Sequence, residues 1–192
     1  MKRDIHNDTE LVRATATLID NTEGRIESLV FADTHQKGIC FSWWNNNRIM
    51  PRPLDGTDDE ILLLFKEALR KKVFSEHFLT TLKGLLSAPR QGRSSIPSVL
   101  RKTPYAIEID RVAINLADGS EGRIERLQFK QSVYDEKEGI RFSWWKRNRM
   151  MPWPLSITEE ELLHLLKEAL HSDVLLDRFV AGLQDAVKSA VP

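Results

Sequence analysis

The chain has one cysteine, Cys40, and two tyrosines in 192 residues. A lone thiol excludes a disulfide framework and a four-cysteine zinc site within one chain. No run approaches the ~20 apolar residues of a membrane span. The opening MKRDIHNDTELVR also lacks the apolar stretch of a secretory leader. A cytoplasmic protein with no membrane partner is therefore expected. Charge of one sign is missing too, since 28 basic residues balance 28 acidic ones. That balance disfavours a strongly basic nucleic-acid coat and leaves the distribution of charge to decide. No Walker-type loop, G-x-S-x-G or H-E-x-x-H is present. Neither catalysis nor a cofactor is expected. What remains, 41% hydrophobic and 29% charged residues, is the composition of a folding chain.

The sequence is written twice. TLIDNTEGRIESLVF at 17–31 returns as NLADGSEGRIERLQF at 115–129, and GICFSWWNNNRIMPRPL at 38–54 as GIRFSWWKRNRMMPWPL at 139–155. TDDEILLLFKEAL at 57–69 likewise returns as TEEELLHLLKEAL at 158–170. Two copies are too few for a solenoid. The expectation is a tandem duplication packed as a pseudo-two-fold dimer, each copy covering the other's apolar face. The first repeat spans 9–88, a linker 89–104 and the second repeat 105–190. The linker carries Pro89, Pro97 and Pro104 and no acidic residue.

Each copy reads as α+β. Val112, Ile114 and Leu116 alternate at period two, and Asp118-Gly119 follows as a hairpin turn, with Asp20-Asn21 in the first copy. Leu127 and Phe129 mark a second strand and GIRFSWW a third. The fourth segment, RIMPRPL or RMMPWPL, holds two prolines two residues apart, which confines it to an edge strand or an extended arm. Thr57 and Thr158 then sit three residues before Glu60 and Glu161, as capping boxes. Apolar residues at helical spacing follow, with a slip at His171-Ser172-Asp173. The fold class is thus a four-stranded antiparallel sheet followed by one long or broken helix, twice over.

Strand three carries the candidate site. Ile39, Phe41 and Trp43 share one face, as do Ile140, Phe142 and Trp144, and these suit the core. Trp44 lies opposite, as do Arg141, Ser143 and Trp145. Those tryptophans either pack between the copies or form an exposed stacking platform. No acidic residue occurs at 34–54 or 139–158, whereas Arg48, Lys146, Arg147 and Arg149 fall inside those windows. Basic charge interleaved with aromatics points to single-stranded DNA or RNA. The nucleic-acid-binding set is Trp44, Arg48, Arg141, Ser143, Trp145, Lys146, Arg147 and Arg149. The alternative is a protein-interaction module or an inhibitory or regulatory accessory protein, whose partner is gripped by Met151 and Trp153 on the proline-rich arm. Arg25/Glu27 and Arg123/Glu125 read as structural cross-strand ion pairs. His164, Glu168 and His171 share a helical face but match Leu63, Glu67 and Arg70 in the first copy, so no metal site is expected.

The strand-three-to-helix stretches, GIRFSWWKRNRMMPWPLSITEEELLHLLKEAL and GICFSWWNNNRIMPRPLDGTDDEILLLFKEAL, resemble the fold group of PUR proteins, Whirly proteins and bacterial relatives of the positive-cofactor-four coactivators. PUR-type repeats show a similar basic strand just ahead of an acidic-starting helix. The resemblance implies two intertwined copies with single-stranded DNA or RNA on the sheet surface. A regulatory or replication-linked role is the expectation for such a binding module.

Overall fold

Pro51 and Pro53, and Pro152 and Pro154, remove two backbone donors from the fourth strand of each half. In the computed structural model, which describes residues 13–17, 22–31, 34–90, 99–130 and 138–190, that strand is split in two at the prolines. The first half runs β1 (Arg13–Thr17), β2 (Glu23–Val30), β3 (Lys37–Asn45), β4 (Arg48–Ile49), β5 (Leu54–Thr57), α1 (Asp58–Arg70) and α2 (Glu76–Ser87). The second runs β6 (Arg101–Lys102), β7 (Ala106–Asn115), β8 (Glu121–Phe129), β9 (Glu138–Lys146), β10 (Arg149–Met150), β11 (Leu155–Thr158), α3 (Glu159–Leu170) and α4 (Asp177–Ala190). The piece before the prolines, β4 or β10, folds back on its own third strand. The piece after them leaves. β5 pairs with β9 of the second half, and β11 pairs with β3 of the first, both antiparallel.

The protein is therefore α+β with two antiparallel sheets and four helices. Sheet one has the order β1-β2-β3-β11 with β4 also on β3, and sheet two the order β10-β9-β8-β7-β6 with β5 also on β9. The expected four strands per sheet become five and six, because each sheet takes in the other half's arm and β6 extends sheet two. Residues 101–102, expected within the linker, are that edge strand. At the linker's other end Arg90 bonds the carbonyls of Leu170, Ser172 and Leu175 and the carboxylate of Asp177. Residues 91–98 between them, and the expected Asp20-Asn21 turn, lie outside the described residues.

The helices start where the sequence says they should. Thr57 and Thr158 each accept from the N3 backbone while Glu60 and Glu161 reach back to the cap, closing both boxes. Each half has two helices rather than one long one. The break is a core feature: Val73-Phe74 and Val174-Leu175 turn inward there, all buried. One apolar cluster joins the inner faces of both sheets with all four helices. At its middle the equivalent residues Phe41 and Phe142 stack with ring centroids 4.3 Å apart. Strand two contributes less to this cluster than its spacing suggests. Ile124 faces in, but Leu127 and Phe129 form a separate small cluster with Ala106.

Candidate nucleic-acid interface

The two tryptophans of each SWW triplet do different jobs. Trp43 and Trp144 face inward and hold the departing arms. The Trp43 indole N–H donates to Asp55 at 3.2 Å, and the Trp144 indole N–H donates to the Trp153 carbonyl at 3.2 Å. Arg52 also stacks on Trp43 and bonds Asp55. Trp44 and Trp145 face the other way and enter a repeated relay. Trp44 donates to Ser42 and Ser42 to Glu27; Trp145 donates to Ser143 and Ser143 to Glu125, at 2.7–3.0 Å. The guanidinium of Arg25 covers the ring of Trp44, and those of Arg123 and Arg101 lie over Trp145. Arg25 and Arg123 are in turn bonded to Glu23 and Glu121 along their own strands. Arg25 keeps the expected Glu27 as a long 4.0 Å ion pair beside its shorter bond to Glu23, whereas Arg123 pairs with Glu121 in place of the expected Glu125.

This relay overturns part of the expected interface. Arg141 and Ser143 are 0% exposed and Trp145 is 5% exposed. None of the three meets solvent as a binding surface. Trp44 is half-buried beneath Arg25. The reason is chemical: Arg, Ser, Glu and Trp at alternate positions satisfy one another, so a face with the composition of a wet surface becomes an interior layer. Arg141 bonds Glu125 at 2.5 Å and the Tyr105 hydroxyl at 2.8 Å, and lies opposite Asp55 on the incoming arm. Burial pushes the Asp55 carboxyl up, and Arg52 and Arg141 only partly pull it back. In sheet one the same register places Cys40 opposite Ser156. Burial raises the Cys40 thiol to about 12, so it is a packed neutral group and not a nucleophile.

Arg48, Lys146, Arg147 and Arg149 sit at the tips of the β3–β4 and β9–β10 hairpins. Asn46 and Asn47, and Arg147 and Asn148, all have φ between 47° and 59°, as a two-residue I′ turn requires. The three arginines are exposed and Lys146 is half-buried. Trp153 is 54% exposed, Met151 is half-buried, and Met151 donates its backbone N–H to the Trp144 carbonyl. The hairpin tip and the arm of the second half are thus neighbours along β9 and β10. Within the expected binding set, the exposed cations lie at the tips and not on the sheet faces. The turn chemistry of N-N-N-R and K-R-N-R is the signal that could have placed them there.

Among the described residues no group of three or more His, Cys, Asp or Glu side chains is placed to hold a metal. His171 ends α3, with its Nδ1 2.7 Å from the Lys167 carbonyl. No helix is long and apolar enough to cross a membrane. No family model, curated protein or solved structure matches the chain.

Proposed function

We propose that this is a non-catalytic binding module for single-stranded nucleic acid, with its contact surface at the basic hairpin tips rather than on the sheet faces. What carries the reading is where the uncommitted arginines are. Arg48, Arg147 and Arg149 have no ion pair or side-chain hydrogen bond among the described residues. Every other arginine with a described side chain is engaged: Arg25, Arg52, Arg70, Arg90 and Arg101 in one set, Arg111, Arg123, Arg126, Arg141 and Arg178 in another. A protein that engages its other described arginines internally, yet leaves three guanidinium groups at two hairpin tips, presents local sites for phosphate. We read the two halves as a tandem duplication arranged as a pseudo-two-fold dimer. The reciprocal arms, the Phe41–Phe142 stack and the matched relays support that arrangement.

Fluorescence anisotropy of a labelled single strand, followed from low to physiological salt, tests the binding. The wild type should bind and weaken steadily with salt. Arg147→Ala/Arg149→Ala should flatten the log–log slope by about 1.4, or ~0.7 per lost phosphate contact. No binding at low salt, or an unchanged slope, ends this reading. A protein partner gripped by Met151 and Trp153 is the alternative, favoured by the 54% exposure of the Trp153 indole. It predicts association that persists at high salt and fails with Trp153→Ala.

A further inference from the structure

The two halves are not equivalent at the surface just described. In the first half Arg48 lies opposite Asn45 in the hairpin register, and the arm residue Arg52 is tied to Asp55 and stacked on Trp43. Nothing there is in conflict. In the second half Arg149 lies directly opposite Lys146. Like charges facing each other across strands repel. Arg147, between them in the turn, adds a third cation and takes a positive φ of 50°. The acidic group on the adjoining strand, Glu121, is already bonded to Arg123. The arm position that matches Arg52 is Trp153, an exposed indole between Pro152 and Pro154 whose backbone is pinned by Trp144. Trp144, Lys146 and Arg149 share one face of the hairpin by strand alternation and register. The pinned carbonyl of Trp153 is held at the base of that same face.

We propose that the second half alone forms the working site, one per chain, with Trp153 as its base-stacking residue and Lys146, Arg147 and Arg149 as its phosphate contacts. The inference rests on the single-strand reading above and specifies its location and stoichiometry. An anionic backbone across the tip relieves the Lys146/Arg149 repulsion, which the first half has no counterpart for. A rigid, proline-flanked indole beside it offers a sequence-tolerant stacking surface at little entropic cost. The first half serves as the frame that supplies β5 to sheet two.

The test titrates the full-length chain into a labelled ~10-nucleotide single strand of mixed sequence, following anisotropy and tryptophan emission together, with native mass spectrometry for stoichiometry. Expected are one strand per chain, quenched emission, and affinity about fivefold or more weaker for Trp153→Ala. Trp153→Phe should keep most of the affinity while losing most of the quenching, because phenylalanine stacks without reporting. Arg149→Ala should cost more than Arg48→Ala. Wild-type binding with two strands per chain, an unaffected Trp153→Ala, or equal loss from Arg48→Ala and Arg149→Ala overturns the inference and leaves the single-strand reading standing. A wild type that binds no single strand at low salt overturns both. Salt-insensitive capture of a protein partner that depends on Trp153 does the same.

Discussion

Arg141 is the bulkiest fully buried side chain among the described residues, and its surroundings explain why it is tolerated. Glu125 takes its Nε at 2.5 Å, Glu108 lies 3.8 Å from its Nη2, and the Tyr105 hydroxyl accepts from Nη1. Removing one partner of such a pair strands the others. Arg141→Met should therefore lower stability by about 3–5 kcal/mol, read as a shift of the urea midpoint; a loss below ~1 kcal/mol would mean the pair is dispensable. Cys40, at the matching position, makes the opposite kind of interior. Its thiol is raised from 9.0 to about 12, first by burial, with the Ser156 and Ser42 hydroxyls pulling the other way. The folded state thus holds this proton more tightly than the unfolded chain does. The contribution is complete below pH 9 and is lost as the pH climbs from there towards 12. At pH 8 a thiol reagent should label Cys40 only as fast as the protein opens, and rapid stoichiometric labelling of the native protein would contradict its burial.

At the scale of elements the arms dominate, and two glycines show how tightly they are seated. A Cβ on Gly139 would collide with the Gly56 carbonyl oxygen of the incoming β5, and one on Gly38 would stand 2.8 Å from the Ile157 carbonyl of β11. Repetition of the glycine in GICF and GIRF thus follows from what lies across from it. Gly139→Ala must push β5 off the edge of sheet two and should cost at least about 1–3 kcal/mol. Thermal melts of Gly139→Ala beside Gly84→Ala, where a Cβ meets nothing within 4 Å, check this; equal melting temperatures would refute it. The prolines announce an arm, and the capping boxes announce the helices to the residue. What the sequence does not disclose is the destination of each arm, because an edge strand pairs as readily with its own sheet as with another's. The clue is present but needs the register to be read. Asp55 faces Arg141 and Ser156 faces Cys40, whereas arms kept at home would bury Asp55 against a thiol and leave Arg141 facing a serine. The outer face misleads for a related reason. Arg, Glu, Ser and Trp at alternate positions look solvated until Trp145 is seen donating to Ser143 and Ser143 to Glu125.

Across the whole molecule, these exchanges make the halves mutually dependent. Without β5, the edge of β9 in sheet two has unpaired backbone groups, and Asp58, which follows β5, no longer meets Arg126 at 2.7 Å. Without β3, β11 has no strand to join, and the helix it leads into loses its anchor. The core is shared in the same way, since the Phe41–Phe142 stack draws one ring from each half. The full chain should unfold in one cooperative transition. A fragment of residues 99–190 cannot satisfy itself as a monomer, but a second copy can supply the missing arm. In that dimer Ser156 stands where Asp55 stood, so Arg141 keeps Glu125 and Glu108 but loses its third carboxylate. The fragment should sediment as a dimer at high concentration, with a melting temperature below that of the full chain and falling on dilution, as mass action requires. A monomeric fragment with native-like circular dichroism and a concentration-independent melt would show that the second half closes its own sheet, and the interlocked architecture would then be a convenience rather than a requirement.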